Sequence, residues 1–167
     1  MIRRSKILDV KGIKQKINRL AWQIYENNLR AEEIIIIGIS GRGEVLAYDL
    51  SKVITQISSI SVTVGNIQID KENPHEHEIT TNLEEDDYTN KVVILVDDVL
   101  NSGKTLMYSS TYFLTTPLIK LSVLVLIERT HNRFPVKANY VGLSLSTTLH
   151  QYITVCLDGD DQGVYLS

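Results

Sequence analysis

The chain has 167 residues, of which 43% are apolar and 22% charged, and its formal net charge is -3. That length suits a single domain with a proper core, and the composition argues against disorder. The small negative charge excludes a protein that grips nucleic acid by bulk charge, the lone Cys156 excludes an intrachain disulfide, and no run of about 20 apolar residues offers a membrane span.

Arg3, Arg4 and Lys6 are not followed by an apolar stretch long enough for a secretory leader, so a cytoplasmic location is expected. With Lys11, Lys14, Lys16 and Arg19 they make a basic N-terminus, which is either a solvated helix face or a surface turned to anions or RNA. Ile13, Ile17, Leu20, Ala21, Ile24 and Asn28 follow helical spacing. The short apolar run Ile34 to Ile37 predicts a strand. The glycine-rich turn Ser40-Gly41-Arg42-Gly43 follows, and Val45, Leu46, Leu50, Val53 and Ile54 restore helical spacing. Ile60 to Val64 predicts a second strand.

Residues 70–90 hold Asp70, Glu72, Glu76, Glu78, Glu84, Glu85, Asp86 and Asp87, with Pro74 and little periodicity, and read mainly as loop. Val92 to Val96 predicts a third strand. A polar turn from Asp97 to Thr105 comes next, then a helix ending near Pro117. Leu121 to Ile127, Tyr140 to Leu143 and Tyr152 to Leu157 predict further strands, the last placing Cys156 as a small buried residue. Apolar strands alternating with helices predict an α/β fold: a parallel twisted sheet covered on both faces, over residues 1–167 as one domain. Ligands in such sheets sit beyond the carboxyl ends of the strands, where both glycine-containing turns fall.

The stretch Val93 to Thr105 carries the chemistry. Asp97 and Asp98 are adjacent carboxylates at the end of a buried strand, where unpartnered charge is costly. Neighbouring strand residues point to opposite faces, so the pair divides two tasks. One is to accept hydrogen bonds from sugar hydroxyls or to serve a metal shell; the other is to hold the loop. Ser102, Gly103, Lys104 and Thr105 open the next helix, where free amides and the helix dipole attract an anion and Gly103 admits close approach. The competing reading is a helix cap by Asn101 or Ser102 with surface acids. Gly103-Lys104-Thr105 mimics the end of a P-loop, but Asp98 stands where that motif needs its first glycine. Gly38-x-Ser40 fails likewise as a dinucleotide fingerprint.

Val93 to Thr105 resembles the phosphoribosyl pyrophosphate motif of type I phosphoribosyltransferases. The resemblance covers almost the whole chain and is closest to the bifunctional pyrimidine operon attenuator/uracil phosphoribosyltransferase family. Ile7-Leu8-Asp9 and the helix through Glu26 and Asn27 look like that family's start. Gly38 to Gly43 with Leu46-Ala47 looks like its pyrophosphate loop. Arg129-Thr130-His131, Pro135, Ala138, Tyr140, Val141 and Gly142 look like its base-side segment. The resemblance implies a sheet carrying a small hood built from the chain's ends. It implies transfer of a phosphoribosyl group to a nitrogen base, with Asp97 and Asp98 as the catalytic acids on the ribose hydroxyls. Asn101, Ser102, Gly103, Lys104 and Thr105 would hold the 5-phosphate. Ser40, Gly41, Arg42 and Gly43 would meet pyrophosphate, and Val99, Arg129, His131 and Arg133 would lie on the base side. Magnesium would arrive with phosphoribosyl pyrophosphate rather than by direct protein ligation. A homo-oligomer, a dimer in particular, is implied as well.

The chain departs from that pattern in places. Asn101 stands where purine members place a carboxylate and cannot carry a titratable proton, which disfavours a purine by that route. Ser40-Gly41 replaces larger polar or basic residues. Between Gly65 and Lys91 the only Lys or Arg is Lys71, so the lid is acidic. His75, Glu76, His77 and Glu78 in it form either a solvated loop or a metal cluster. A pyrimidine such as uracil is the expected substrate. The alternative is a regulator that senses the nucleotide or phosphoribosyl pyrophosphate and binds RNA through the basic end, with little or no catalysis.

Overall fold

The computed structural model describes residues 4–167. Arg3, counted in the basic N-terminus, lies outside the described residues. In chain order the elements are β1 (Ser5–Leu8), α1 (Val10–Asn27), β2 (Glu33–Ile39), α2 (Arg42–Ile57), β3 (Ser61–Gln68), β4 (Thr80–Thr81), α3 (Glu85–Tyr88), β5 (Val92–Leu100), α4 (Lys104–Phe113), β6 (Lys120–Arg129), β7 (Tyr140–Leu145), β8 (Ile153–Cys156) and β9 (Gly163–Leu166).

The central sheet has the order β4-β3-β2-β5-β6-β7. Strands β3, β2, β5, β6 and β7 run parallel, and the two-residue β4 adds an antiparallel edge through Ile67↔Thr81 and Gln68↔Thr80. The chain winds from β2 outward to β3, then returns to β5 and winds the other way to β6 and β7. The order therefore reverses between β2 and β5, and a crevice opens where their carboxyl ends part.

The isoleucine run of β2 shows why the sheet is covered on both sides. Ile34 and Ile36 join Leu20, Ile24, Leu46 and Leu50 beneath α1 and α2, while Ile35 and Ile37 join Val93, Leu106 and Phe113 beneath α4. All four isoleucines are fully buried. Burying such a side chain contributes roughly 1.5–3 kcal/mol, so this strand alone stabilises both layers. Helix α1 begins cleanly because Asp9 accepts the Gly12 amide at 2.7 Å.

The hood is a separate antiparallel sheet of order β1-β9-β8. Its Val155 and Val164 are fully buried in the core beneath α1 and α2, which fixes it over one end of the central sheet. Several sequence expectations are corrected here. Strand β5 continues through Leu100, so Asp97 to Leu100 are strand rather than turn, and α4 ends at Phe113 rather than near Pro117. Residues 70–90 are mainly loop, as expected, with β4 and the single turn α3 set within them. Cys156 is half-buried rather than buried. No helix among the described residues is long and apolar enough to cross a membrane.

Candidate active site

A cavity of about 360 Å³ opens at the crevice, lined by Arg42, Lys71, Asp97 to Leu106, Arg133 and Ile153 among others. Strand β5 carries the acids into it. Parallel pairing of Asp97 with Val125 and of Val99 with Ile127 on β6 holds the strand on either side of Asp98. Both acids are buried, at 4% and 6% exposure.

Each acid has a cation. Asp98 Oδ2 accepts from Arg42 Nε at 2.6 Å. Asp97 Oδ1 accepts from Lys71 Nζ at 3.4 Å and from the Asp98 amide at 2.9 Å. Burial, followed by repulsion from Asp98, pushes the Asp97 carboxyl up to about 7, and Lys71 opposes that rise. The Arg42 guanidinium is pushed further above its ordinary value by its hydrogen bond to Asp98.

Arg42 reaches Asp98 because α2 starts hard against β5. A Cβ on Gly43 would sit 2.6 Å from the Val96 carbonyl, so only glycine lets the two backbones meet there. The second turn is built differently. Gly103 takes φ 84°, a left-handed conformation that swings the chain into α4. The Ser102 carbonyl accepts the Arg133 and Phe134 amides, both at 2.9 Å, which braces the loop from outside. Ser102 Oγ accepts the Lys104 amide at 3.3 Å. Thr105 and Leu106 follow in the first turn, whose leading amides have no intrahelical acceptor and suit an anion, and both residues line the cavity.

The short lid is tied across this mouth. Lys104 Nζ donates to the Glu72 carbonyl at 2.6 Å, on the same side as the Lys71–Asp97 contact. Lys71, Glu72 and Ile153 were not foreseen as site residues. The only signal for Lys71 was its isolation as the one cation of an acidic segment. The lid's histidines form separate pairs, His77 with Asp70 at 3.3 Å and His75 with Glu76 at 3.8 Å. Among the described residues no group of three or more His, Cys, Asp or Glu side chains converges as a metal cluster would.

The expected site residues fall into two sets. Asp97, Asp98, Val99, Asn101 to Thr105, Arg42 and Arg133 share the cavity wall. Ser40, Gly41, Gly43, Arg129 and His131 are outside that wall. Gly41 lines a second opening with Arg42 and residues 155–161, and Ser40 donates its amide to the Ile67 carbonyl at 3.0 Å. Arg129 is engaged with Asn101, Thr147, Thr148 and Gln151, and His131 Nε2 meets the Thr147 carbonyl.

A parallel sheet whose order reverses beside a buried acid pair, with a glycine turn and helix start just beyond that strand, defines an α/β protein with a ligand crevice at its switch point. The chain belongs to the phosphoribosyltransferase family: the family model described as phosphoribosyl transferase domain matches residues 3–158. It is 34% identical over 171 residues to the bifunctional protein PyrR of Clostridioides difficile, covering 96% of this chain and 97% of that one. The PyrR of Staphylococcus aureus strain RF122 is also 34% identical, with 93% of each covered. Among solved structures, a hypoxanthine-guanine phosphoribosyltransferase from Bacillus anthracis superposes with TM-score 0.77 at 22% identity, covering 99% of both chains. A hypoxanthine phosphoribosyltransferase from Trypanosoma cruzi in complex with the product IMP gives TM-score 0.78 at 16% identity, over 95% of this chain and 91% of that one. The family read from Val93 to Thr105 is thus borne out, and with it the transferase class and the α/β architecture.

Proposed function

We propose that the chain transfers the phosphoribosyl group of phosphoribosyl pyrophosphate to a pyrimidine base such as uracil, in the cytoplasm. The observation that carries this reading is one cavity in which two buried carboxylates face two cations beside an amide-lined helix start. The 5-phosphate sits on the turn from Asn101 to Thr105. Asp97 and Asp98 accept the ribose hydroxyls and stabilise the positive charge that grows as the bond from C1 to pyrophosphate breaks. A base nitrogen then bonds to C1 and loses its proton.

Arg42 and Lys71 explain how the acids tolerate burial before substrate arrives. When pyrophosphate enters, its charge draws both cations away and releases the carboxylates to the sugar. Substrate thus replaces one set of ion pairs by another, and no acid is left buried and unpartnered. The acid pair is an oxygen donor set suited to a hard cation, and magnesium brought by the pyrophosphate would supply charge neutralisation there. Val99 and Ile153 give the base side an apolar wall, with Arg133 at its edge. Asn101 in place of an acid favours a pyrimidine over a purine, because its amide carries no titratable proton to transfer to a purine ring.

Pyrophosphate release is the assay, with phosphoribosyl pyrophosphate, magnesium and uracil, hypoxanthine, guanine or orotate in turn. Uracil-dependent release that falls on the order of 10²–10³-fold in Asp98→Asn is expected. Absence of turnover with every base rejects the catalytic reading. A second reading is a nucleotide-responsive RNA regulator with weak catalysis, favoured by the exposed Lys11, Lys14 and Trp22 on the outer face of α1. It requires a leader transcript to bind with a steep salt dependence. Binding indifferent to salt and to removal of these lysines argues against it.

A further inference from the structure

We propose that Arg129 is a positioning residue that couples the 5-phosphate loop to the base-side wall, holding both halves of the site in register without touching substrate. The inference rests on the phosphoribosyl reading of the cavity and adds to it a residue that works from behind that cavity.

Arg129 is the last residue of β6, on the strand next to the one that carries the acids. Its guanidinium makes four hydrogen bonds in two directions. Toward the phosphate loop, Nη1 donates to Asn101 Oδ1 at 3.1 Å. Toward the hood, Nε donates to Thr147 Oγ1 at 2.9 Å, and Nη2 donates to the Thr148 and Gln151 carbonyls at 3.2 and 2.8 Å. The receiving turn is closed on itself, since Gln151 Oε1 accepts the Thr148 amide at 2.8 Å. His131 Nε2 meets the Thr147 carbonyl of the same segment. Two residues after Gln151 comes Ile153, which lines the cavity together with Asn101 and Val99.

The chemistry of arginine suits this task. A planar fork with five N–H donors can hold a side-chain amide, a hydroxyl and two carbonyls in fixed directions at once. A lysine at this position offers one compact ammonium and cannot span both segments. The bond to Asn101 also fixes which way that side chain faces. With Oδ1 turned to Arg129, the amide nitrogen is left as the donor available to an anion in the loop. The single link from β6 therefore sets both the donor geometry of the phosphate loop and the height of Ile153 over the base side.

The two directions can be separated by binding. Ribose 5-phosphate probes the loop alone, whereas uridine 5′-monophosphate probes the loop and the base wall together. Dissociation constants measured by calorimetry in the presence of magnesium, with melting temperatures recorded for each variant, give the test. Asn101→Ala is expected to weaken both ligands by a common factor of about ten, leaving their ratio unchanged. Thr147→Val is expected to weaken only the uridine nucleotide. Arg129→Ala is expected to do both, and adding it to Asn101→Ala should cost ribose 5-phosphate nothing further. Arg129→Lys should not restore either affinity.

Wild-type protein that binds neither ligand overturns the phosphoribosyl reading, and this inference with it. Wild-type binding that Arg129→Ala leaves intact for both ligands overturns the inference alone. Should Arg129→Ala fail to fold, the contrast between Asn101→Ala and Thr147→Val decides: the same ratio of affinities in both refutes the coupling.

Discussion

Replacing Asp97 by Asn should stabilise the unliganded protein at alkaline pH and do little in acid. The Asp97 carboxyl is pushed from an ordinary 3.8 up to about 7, first by burial and then by Asp98. Between those two pH values the folded chain keeps a proton that the unfolded chain has lost. Stability from this group is therefore complete below about pH 4 and is lost as pH rises through about 7. A difference of about 3 pH units sets a ceiling of about 4 kcal/mol, at about 1.4 kcal/mol each. Asn loses the attraction to Lys71, whose side chain is 42% exposed and well screened, so part of that ceiling is offset. Asn retains a carbonyl oxygen for the Asp98 amide, and it closely matches the protonated acid in shape. We expect the variant to gain about 2 kcal/mol at pH 8, or about 4–8 °C in melting temperature for a chain of this size. Near pH 4 the two proteins should melt together. Melting curves by circular dichroism at pH 4, 6 and 8 provide the measurement. A difference that stays constant across these pH values, or a more stable wild type at pH 8, refutes the account of the acid pair.

Arg42→Gln leaves Asp98 buried with its cation gone and should lower stability by about 1–2 kcal/mol, while raising the KM for phosphoribosyl pyrophosphate at least tenfold; an unchanged KM removes Arg42 from the pyrophosphate site. Gly43→Ala drives a methyl group to 2.6 Å from the Val96 carbonyl and should cost about 1–3 kcal/mol in urea unfolding. A neutral result there contradicts the close approach of α2 to β5. Ile36→Ala empties a fully buried position and should cost about 2–5 kcal/mol. The same truncation at Ile119, which is 72% exposed, should stay within about 0.5 kcal/mol in either direction.

The acid pair and the glycine turn that follows it were legible because their geometry is local. Strand, carboxylates, glycine and helix start lie within Val93 to Thr105, and the offset between them is set by backbone geometry alone. The buried β2 and β5 were legible for a similar reason, since a short β-branched run bounded by turn residues has few other destinations. The hood strands β1 and β9 were not foreseen. Each is four residues long, and their pairing joins Ser5 to Leu166 across the whole chain. No nearby residue signals that partnership.

The same division runs through the site. Sequence alone determined that paired carboxylates and a glycine turn stand side by side at a strand end, because both follow from short-range order. Tertiary structure decided which cation answers which acid. Arg42 is 56 residues from Asp98 and Lys71 is 26 from Asp97. It also decided that Arg129 is held by Asn101, Thr147, Thr148 and Gln151 rather than on the cavity wall. Ion pairs and packing distances depend on where strands lie in the sheet, and strand order is settled by long-range burial that no local pattern encodes.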